Sequence, residues 1–147
     1  MKNTMTLKQL IKLENKADTV WVISPTLHYD TENKDFSELV SVNLGAKKKY
    51  RYIVPATRIV EKNMKLYQKM YKLTDTEMFT NFLLLPDNDF NGFLTETVIY
   101  NAGKECIACT APPLESTNDI IKYGPNTAKA MAKQFKATWK KYMRTNP

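Results

Sequence analysis

Two hydrophobic rhythms alternate along this chain. Leu7, Leu10 and Ile11 recur at helical spacing behind Thr6-Leu7-Lys8-Gln9, a capping-box pattern, and predict a helix ending near Ala17. Val20-Trp21-Val22-Ile23 is a short apolar run stopped by Ser24-Pro25 and reads as a buried strand. The polar residues 26–34 read as a loop at its C-terminal end. Asp35-Phe36-Ser37-Glu38 is a second capping pattern; Phe36, Leu39, Val40 and Leu44 share one helical face, and Gly45 is placed to end that helix. Residues 49–54 form a strand that Pro55 stops. Thr57 can cap the next helix, with Val60, Met64, Tyr67 and Tyr71 on one side and Lys62, Lys65, Lys69 and Lys72 around the other. Residues 74–77 read as a loop, 78–85 as a third strand closed by Pro86, and 87–92 as a turn-rich connector.

Residues 93–110 read as a hairpin. Its arms, 93–100 and 105–110, are rich in β-branched and aromatic residues. Asn101-Ala102-Gly103-Lys104 is the turn, where Gly103 can supply a positive φ and Asn101 tolerates one. Both arms are more apolar than a half-wet strand needs, which predicts central strands covered on both faces. Ala111-Pro112-Pro113 ends the last strand, and one helical turn is expected at 119–122. Gly124-Pro125-Asn126 launches a final helix over 127–144, with Ala128, Met131, Ala132, Phe135, Trp139 and Tyr142 on its apolar face. The order α β α β α β β β α predicts one α/β domain over 1–147. Its sheet is expected to be mixed and mostly parallel, with a C-terminal antiparallel hairpin and helices on both faces. The strands at 20–23, 50–54 and 97–100 are expected at its centre. Open α/β sheets bind ligands beyond the C-terminal ends of their strands, which here are residues 24–30, 55–58 and 86–89.

Charge changes the picture more than composition does. The net charge is +7, yet every Asp and Glu lies at or before Asp119, and the residues up to that point are neutral in sum. The excess is carried by Lys122, Lys129, Lys133, Lys136, Lys140, Lys141 and Arg144. A second basic segment, Lys47 to Lys72, contains only Glu61 as a counter-charge. Two basic segments on one small domain suggest a phosphate-bearing partner, nucleic acid or nucleotide. No apolar run reaches the ~18–20 residues of a membrane span, so no membrane partner is expected. The N-terminus lacks the apolar core of a signal peptide, and two cysteines make no disulfide framework, so a reducing cytoplasm is the expected compartment.

The element order resembles one half-domain of the phospholipase D superfamily. The matching pieces are residues 18–25 as first strand, Asn43-Leu44-Gly45 leading into 49–55, the hairpin, and Phe135-x-x-x-Trp139 in the last helix. The resemblance implies a phosphodiester-binding fold with a His-x-Lys motif, then an Asp, on the hairpin's first arm. Set on this hairpin, the His position falls on Leu94, the Lys position on Glu96 and the Asp position on Asn101. A Gly-Ser pair of the family falls on Ala108-Cys109. Without imidazole there is no phosphohistidine intermediate, and Glu96 is expected to repel phosphate where lysine attracts it. The resemblance therefore implies a degenerate member that has lost the catalytic motif, with no catalytic residue, cofactor or metal assigned.

His28, the one histidine, could act as a displaced general base beside Tyr29 and Asp30, or be an ordinary loop residue that contacts ligand. Cys106-x-x-Cys109 has redox spacing, but on a strand the two thiols face opposite ways, so they read as small buried hydrophobes. Lys129, Lys133, Lys136, Lys140 and Arg144 form one helical stripe with no acid interleaved, either a solvated face or a nucleic-acid contact. Lys47-Lys48-Lys49-Tyr50-Arg51-Tyr52 mixes cations with aromatics, either a stacking platform or a basic edge over two packed tyrosines. Lys47, Lys49, Arg51 and Arg58 join the stripe as candidate ligand-binding residues. The leading expectation is a non-catalytic module binding a phosphate-bearing ligand. A second is a protein-interaction or regulatory module acting as a homodimer. A third is an active phosphodiesterase or nuclease whose site is rebuilt from His28, Asp30, Glu96 or Glu115. The homodimer rests on the apolar hairpin positions Val98, Tyr100, Ile107 and Cys109 and on the apolar loop Ala111-Pro112-Pro113-Leu114.

Overall fold

The structure, a computed structural model, describes residues 4–27, 29–32, 34–90, 96–101, 105–110 and 120–143. Alternation of side chains along each strand decides the layering. The strands are β1 (Thr4–Met5), β2 (Thr19–Ile23), β3 (Lys49–Pro55), β4 (Phe82–Leu85), β5 (Thr97–Tyr100), β6 (Ile107–Thr110) and β7 (Ile120–Ile121). The main sheet runs in the order β4-β3-β2-β5-β6, and β1 pairs with β7 apart from it. Strands β2, β3 and β4 pair in parallel, whereas β5 is antiparallel to both β2 and β6. The sheet is therefore mixed, with only β5 running against the rest. The expected central strands are the three interior ones. The hairpin's second arm is not central: β6 is the edge strand of the five, flanked by the bridge from Cys109 to Lys122 and by hydrogen bonds from Ile121 and Tyr123.

The helices are α1 (Leu7–Lys16), α2 (Tyr29–Glu32), α3 (Lys34–Gly45), α4 (Arg58–Tyr71), α5 (Asp75–Asn81) and α6 (Pro125–Met143). One face of the sheet presents Val20, Val22, Tyr50, Tyr52, Val54, Phe82, Val98, Tyr100 and Cys109 to α1, α3, α4 and Met78 of α5. The alternate residues Ile53, Leu83, Leu85, Ile99 and Ala108, with Trp21 and Ile23, meet Ala128, Ala132, Phe135 and Trp139 of α6 on the other face. Trp21 stacks on Phe135 at 4.8 Å between ring centroids, which pins α6 across the middle of the sheet. The two cysteines face opposite layers, as strand alternation requires. Val98, Tyr100 and Cys109 are covered by this chain's own helices, so they no longer argue for a second copy. The loop at 111–114, the other part of that argument, lies outside the described residues.

Several local expectations are corrected. Part of the loop at 26–34 is the short helix α2. Asp35 lies inside the first turn of α3 rather than capping it, and that helix is followed by Lys47 in the left-handed region at φ 64° instead of a left-handed Gly45. Residues 75–81, read as loop and strand, form α5 because Thr74 and Glu77 make a reciprocal capping box there. Residues 120–121 are strand, not helix, because their backbone pairs with Thr4 and Met5. The final helix starts at Pro125, two residues before Thr127, because proline's missing N–H costs nothing in the first turn. Among the described residues no helix is long and apolar enough to cross a membrane.

Candidate functional site

The two ends of the sheet carry different chemistry. At the C-terminal ends of β2 and β3, where a ligand cleft was expected, the side chains close inward. Glu96 precedes β5 and is 5% exposed; its carboxyl is hydrogen-bonded by the Ser24 hydroxyl. Ser24 in turn accepts the N–H of Leu27 at 2.8 Å, which helps hold Leu27 at φ 57° in the left-handed region. Asp30 of α2 is fully covered as well, and the Tyr52 hydroxyl donates to its carboxylate. Tyr67 of α4 donates to Tyr52 at 3.0 Å, and Tyr71 donates to the Asp30 carbonyl at 2.7 Å. Glu14 of α1 extends this layer, receiving hydroxyls of Tyr50 and Tyr100 at 2.8 Å each, while Asn43 donates to Tyr50.

Burial raises the pKa of all three acids. It raises Glu14 to about 8, helped by the nearby Asp30. The same loss of water raises Asp30, and raises Glu96 strongly with a further push from Asp30. One oxygen each of Asp30 and Glu96 has no hydrogen-bond partner among the described residues, which for the strongly shifted Glu96 fits a protonated carboxyl. So Glu96 does not stand as an exposed acid repelling phosphate; it is a neutral group of the interior. Tyr50 and Tyr52 are 2% and 0% exposed and serve the same layer, so they offer no stacking platform. The sequence signal for this layer was present in Tyr50 and Tyr52 sharing a strand face and Tyr67 and Tyr71 sharing a helix face, but nothing local paired them with Glu14.

The motif positions are not brought together. Glu96 lies at one end of β5, and Asn101 lies just beyond the other. Asn101 takes φ 53° there, as its residue type allows, and its side-chain oxygen accepts the Asp18 N–H at 2.7 Å, so it closes the start of β2. Leu94 and His28 lie outside the described residues, as do Glu115 and Arg144. Among the described residues no group of three or more His, Cys, Asp or Glu is arranged to hold a metal ion.

The opposite end, where β3 begins, is basic and open. Residues 47–51 line one wall of a cleft of about 370 Å³, and Thr76, Glu77, Thr80 and Asn81 of α5 line the other. Phe82 of β4 first pairs at Tyr52, so β3 has no β4 partner over residues 49–51 and its edge forms part of the wall. Lys47, Lys49 and Arg51 are exposed; Lys48 donates to the Asn15 carbonyl and is half-buried. Glu77, the one acid lining the cleft, accepts the Thr74 N–H at 3.0 Å in its capping box. Its pKa is lowered by those bonds to Thr74, with a smaller contribution from Lys47. Arg58 is exposed at the start of α4, beyond the far end of β3, and does not reach this cleft. Compared with known proteins, the sequence matches no family model and no curated protein.

Proposed function

We propose that this chain is a non-catalytic binding module on a phospholipase D-like half-domain framework, and that it holds a phosphate-bearing ligand in the cleft at the start of β3. The carrying observation is that cleft, which places the side chains of residues 47–49 and Arg51 around a space of nucleotide size. Lysines supply point charges for phosphate, and Arg51 supplies a planar fork. Thr76, Thr80 and Asn81 add neutral donors from the facing helix. The framework is supported by the order of the sequence motifs and by the mixed sheet with its appended hairpin. Loss of chemistry is supported by Glu96, a buried neutral acid at the position where the family's lysine would meet phosphate. A protein-interaction module is the second reading, favoured by Ile59, Leu66 and Met70, which are exposed along one stripe of α4 beside Lys62 and Lys69.

The test is titration of a fluorescent nucleoside triphosphate at low salt against the parent and a Lys49→Glu/Arg51→Glu variant. The parent is expected to bind, and the variant to lose at least about tenfold in affinity, since two attractive charges become repulsive. A parent that does not bind, or a variant that binds equally well, would show that this cleft is not the ligand site.

A further inference from the structure

The cleft and the lysine stripe of α6 lie on the same end of the sheet, although about eighty residues separate them in sequence. Four contacts fix this. Gln134 and Thr138 line a small hollow with Leu85, Asp89 and Phe90, and Tyr142 donates to Asp89 at 3.2 Å, so that flank of α6 faces the strands' C-terminal ends. Lys129, Lys133, Lys136 and Lys140 are all exposed and occupy the other flank, roughly 150° around the helix from Gln134 and Thr138 at 3.6 residues per turn. At the strand-start end, Arg51 lies over the indole of Trp139, 5.1 Å from the ring centroid, and Lys129 is near enough to Cys106 to oppose the rise that burial gives its thiol pKa. Cys106 immediately precedes β6, which starts at the same end as β3 because Ile107 stands opposite Tyr100 and Tyr100 opposite Val20.

We infer that the cleft and the stripe form one continuous cationic track, joined by Arg51, which binds a nucleic-acid strand through its phosphates. This rests on the reading of the cleft as a phosphate site and names the ligand class. The stripe alone spans about 16 Å, the axial rise of eleven helical residues. That is too long for one nucleotide and on the scale of about five phosphates of one strand. A chain polymer of evenly spaced phosphates matches a line of lysines without acids better than a folded acidic protein, whose carboxylates would be interspersed with cations. A flat anionic membrane does not match a track that turns from a convex helix into a concave cleft. Arg51 suits the junction because its guanidinium lies over Trp139 while the residue stays exposed, and a guanidinium held on a ring can still present N–H groups to phosphate. Among the described residues the track has no exposed aromatic side chain: Tyr50 is buried, Trp139 is 9% exposed, and Phe79, though exposed, does not line the cleft. Binding is therefore through phosphates and independent of base sequence.

The experiment compares two ligands and two variants of the full chain. The ligands are a fluorescent nucleoside triphosphate and a fluorescent oligonucleotide of about ten nucleotides, long enough for both parts of the track. The variants are Lys49→Glu/Arg51→Glu in the cleft and Lys133→Glu/Lys136→Glu on the stripe, each checked for a parental melting temperature. The stripe variant is expected to lose at least about tenfold in oligonucleotide affinity, with a shallower salt dependence, and to bind the triphosphate as the parent does. Two oligonucleotides of different sequence are expected to bind within about threefold of each other. If the stripe variant binds the oligonucleotide like the parent while the cleft variant does not, the track is overturned and the cleft reading stands. If the oligonucleotide binds through the stripe but the triphosphate binds nowhere, the cleft reading fails and the track shrinks to α6, which also overturns the inference. Equal or tighter binding of poly-glutamate or of phosphatidylserine vesicles, relative to the oligonucleotide, would overturn the assignment to nucleic acid.

Discussion

Glu14 shows at the residue scale how much an interior position can cost. It is a fully buried carboxyl held by two tyrosine hydroxyls. Its folded pKa of about 8 stands above the ordinary 4.5, so between those values the folded chain retains a proton that the unfolded chain has released. Stability is therefore expected to be fullest below about pH 4.5 as far as this group is concerned, and to fall as pH rises toward 8, by on the order of a few kcal/mol. Asp30 and Glu96 are shifted in the same direction and add to the slope. Glu14→Gln keeps both tyrosine contacts, since either hydroxyl can turn to accept from the amide. Urea denaturation at several pH values is expected to show a flatter profile for this variant and higher stability than the parent near pH 8. A parent whose stability rises between pH 5 and 8 would contradict the account.

At the scale of elements, α6 illustrates one helix serving two purposes through separate faces. Its apolar face is the one the spacing predicts, and Phe135 and Trp139 are buried against the sheet. Phe135 is sandwiched between Trp21 and Trp139 at 4.8 and 5.9 Å. Trp139→Ala removes the last ring of this stack and the platform under Arg51, and is expected to cost about 3–5 kcal/mol. A thermal melt within a degree or two of the parent would show that α6 is not docked by this face. The misread element, α5, fails for a local reason. Its Met78 and the apolar residues 82–85 run together into what looks like one strand, but the Thr74–Glu77 capping box starts a helix there and leaves β4 only four residues. That short β4 leaves the beginning of β3 unpaired and opens the cleft.

For the whole molecule, the consequence is a division between a closed end and an open, basic one. The closed end is where a ligand cleft was expected, and its acids Asp30 and Glu96 are buried with raised pKa values. Incubation with bis-p-nitrophenyl phosphate without added metal is accordingly expected to give no turnover. Metal-independent hydrolysis that survives His28→Ala would contradict this and favour a site rebuilt on other residues. The open end gathers the cations of two distant segments, and its charge is not diluted because no acid follows Asp119.

Most of the elements and their faces are legible in the chain, because caps, prolines and apolar spacing act within a few residues. Thr6, Thr57 and the apolar positions of α6 are examples, each doing in the fold what its neighbours implied. The two basic segments are legible too, since charge is read by counting. Only the tertiary structure decided what those segments do together. Arg51 meets Trp139 because parallel pairing sets where β3 starts and the Phe135 stack sets where α6 crosses the sheet, and neither is a local property. The same holds for the buried layer. Whether Glu14, Asp30 and Glu96 are solvated carboxylates or buried groups with raised pKa depends on what covers them, and the tyrosines bonded to Glu14 and Asp30 come from strands elsewhere in the chain.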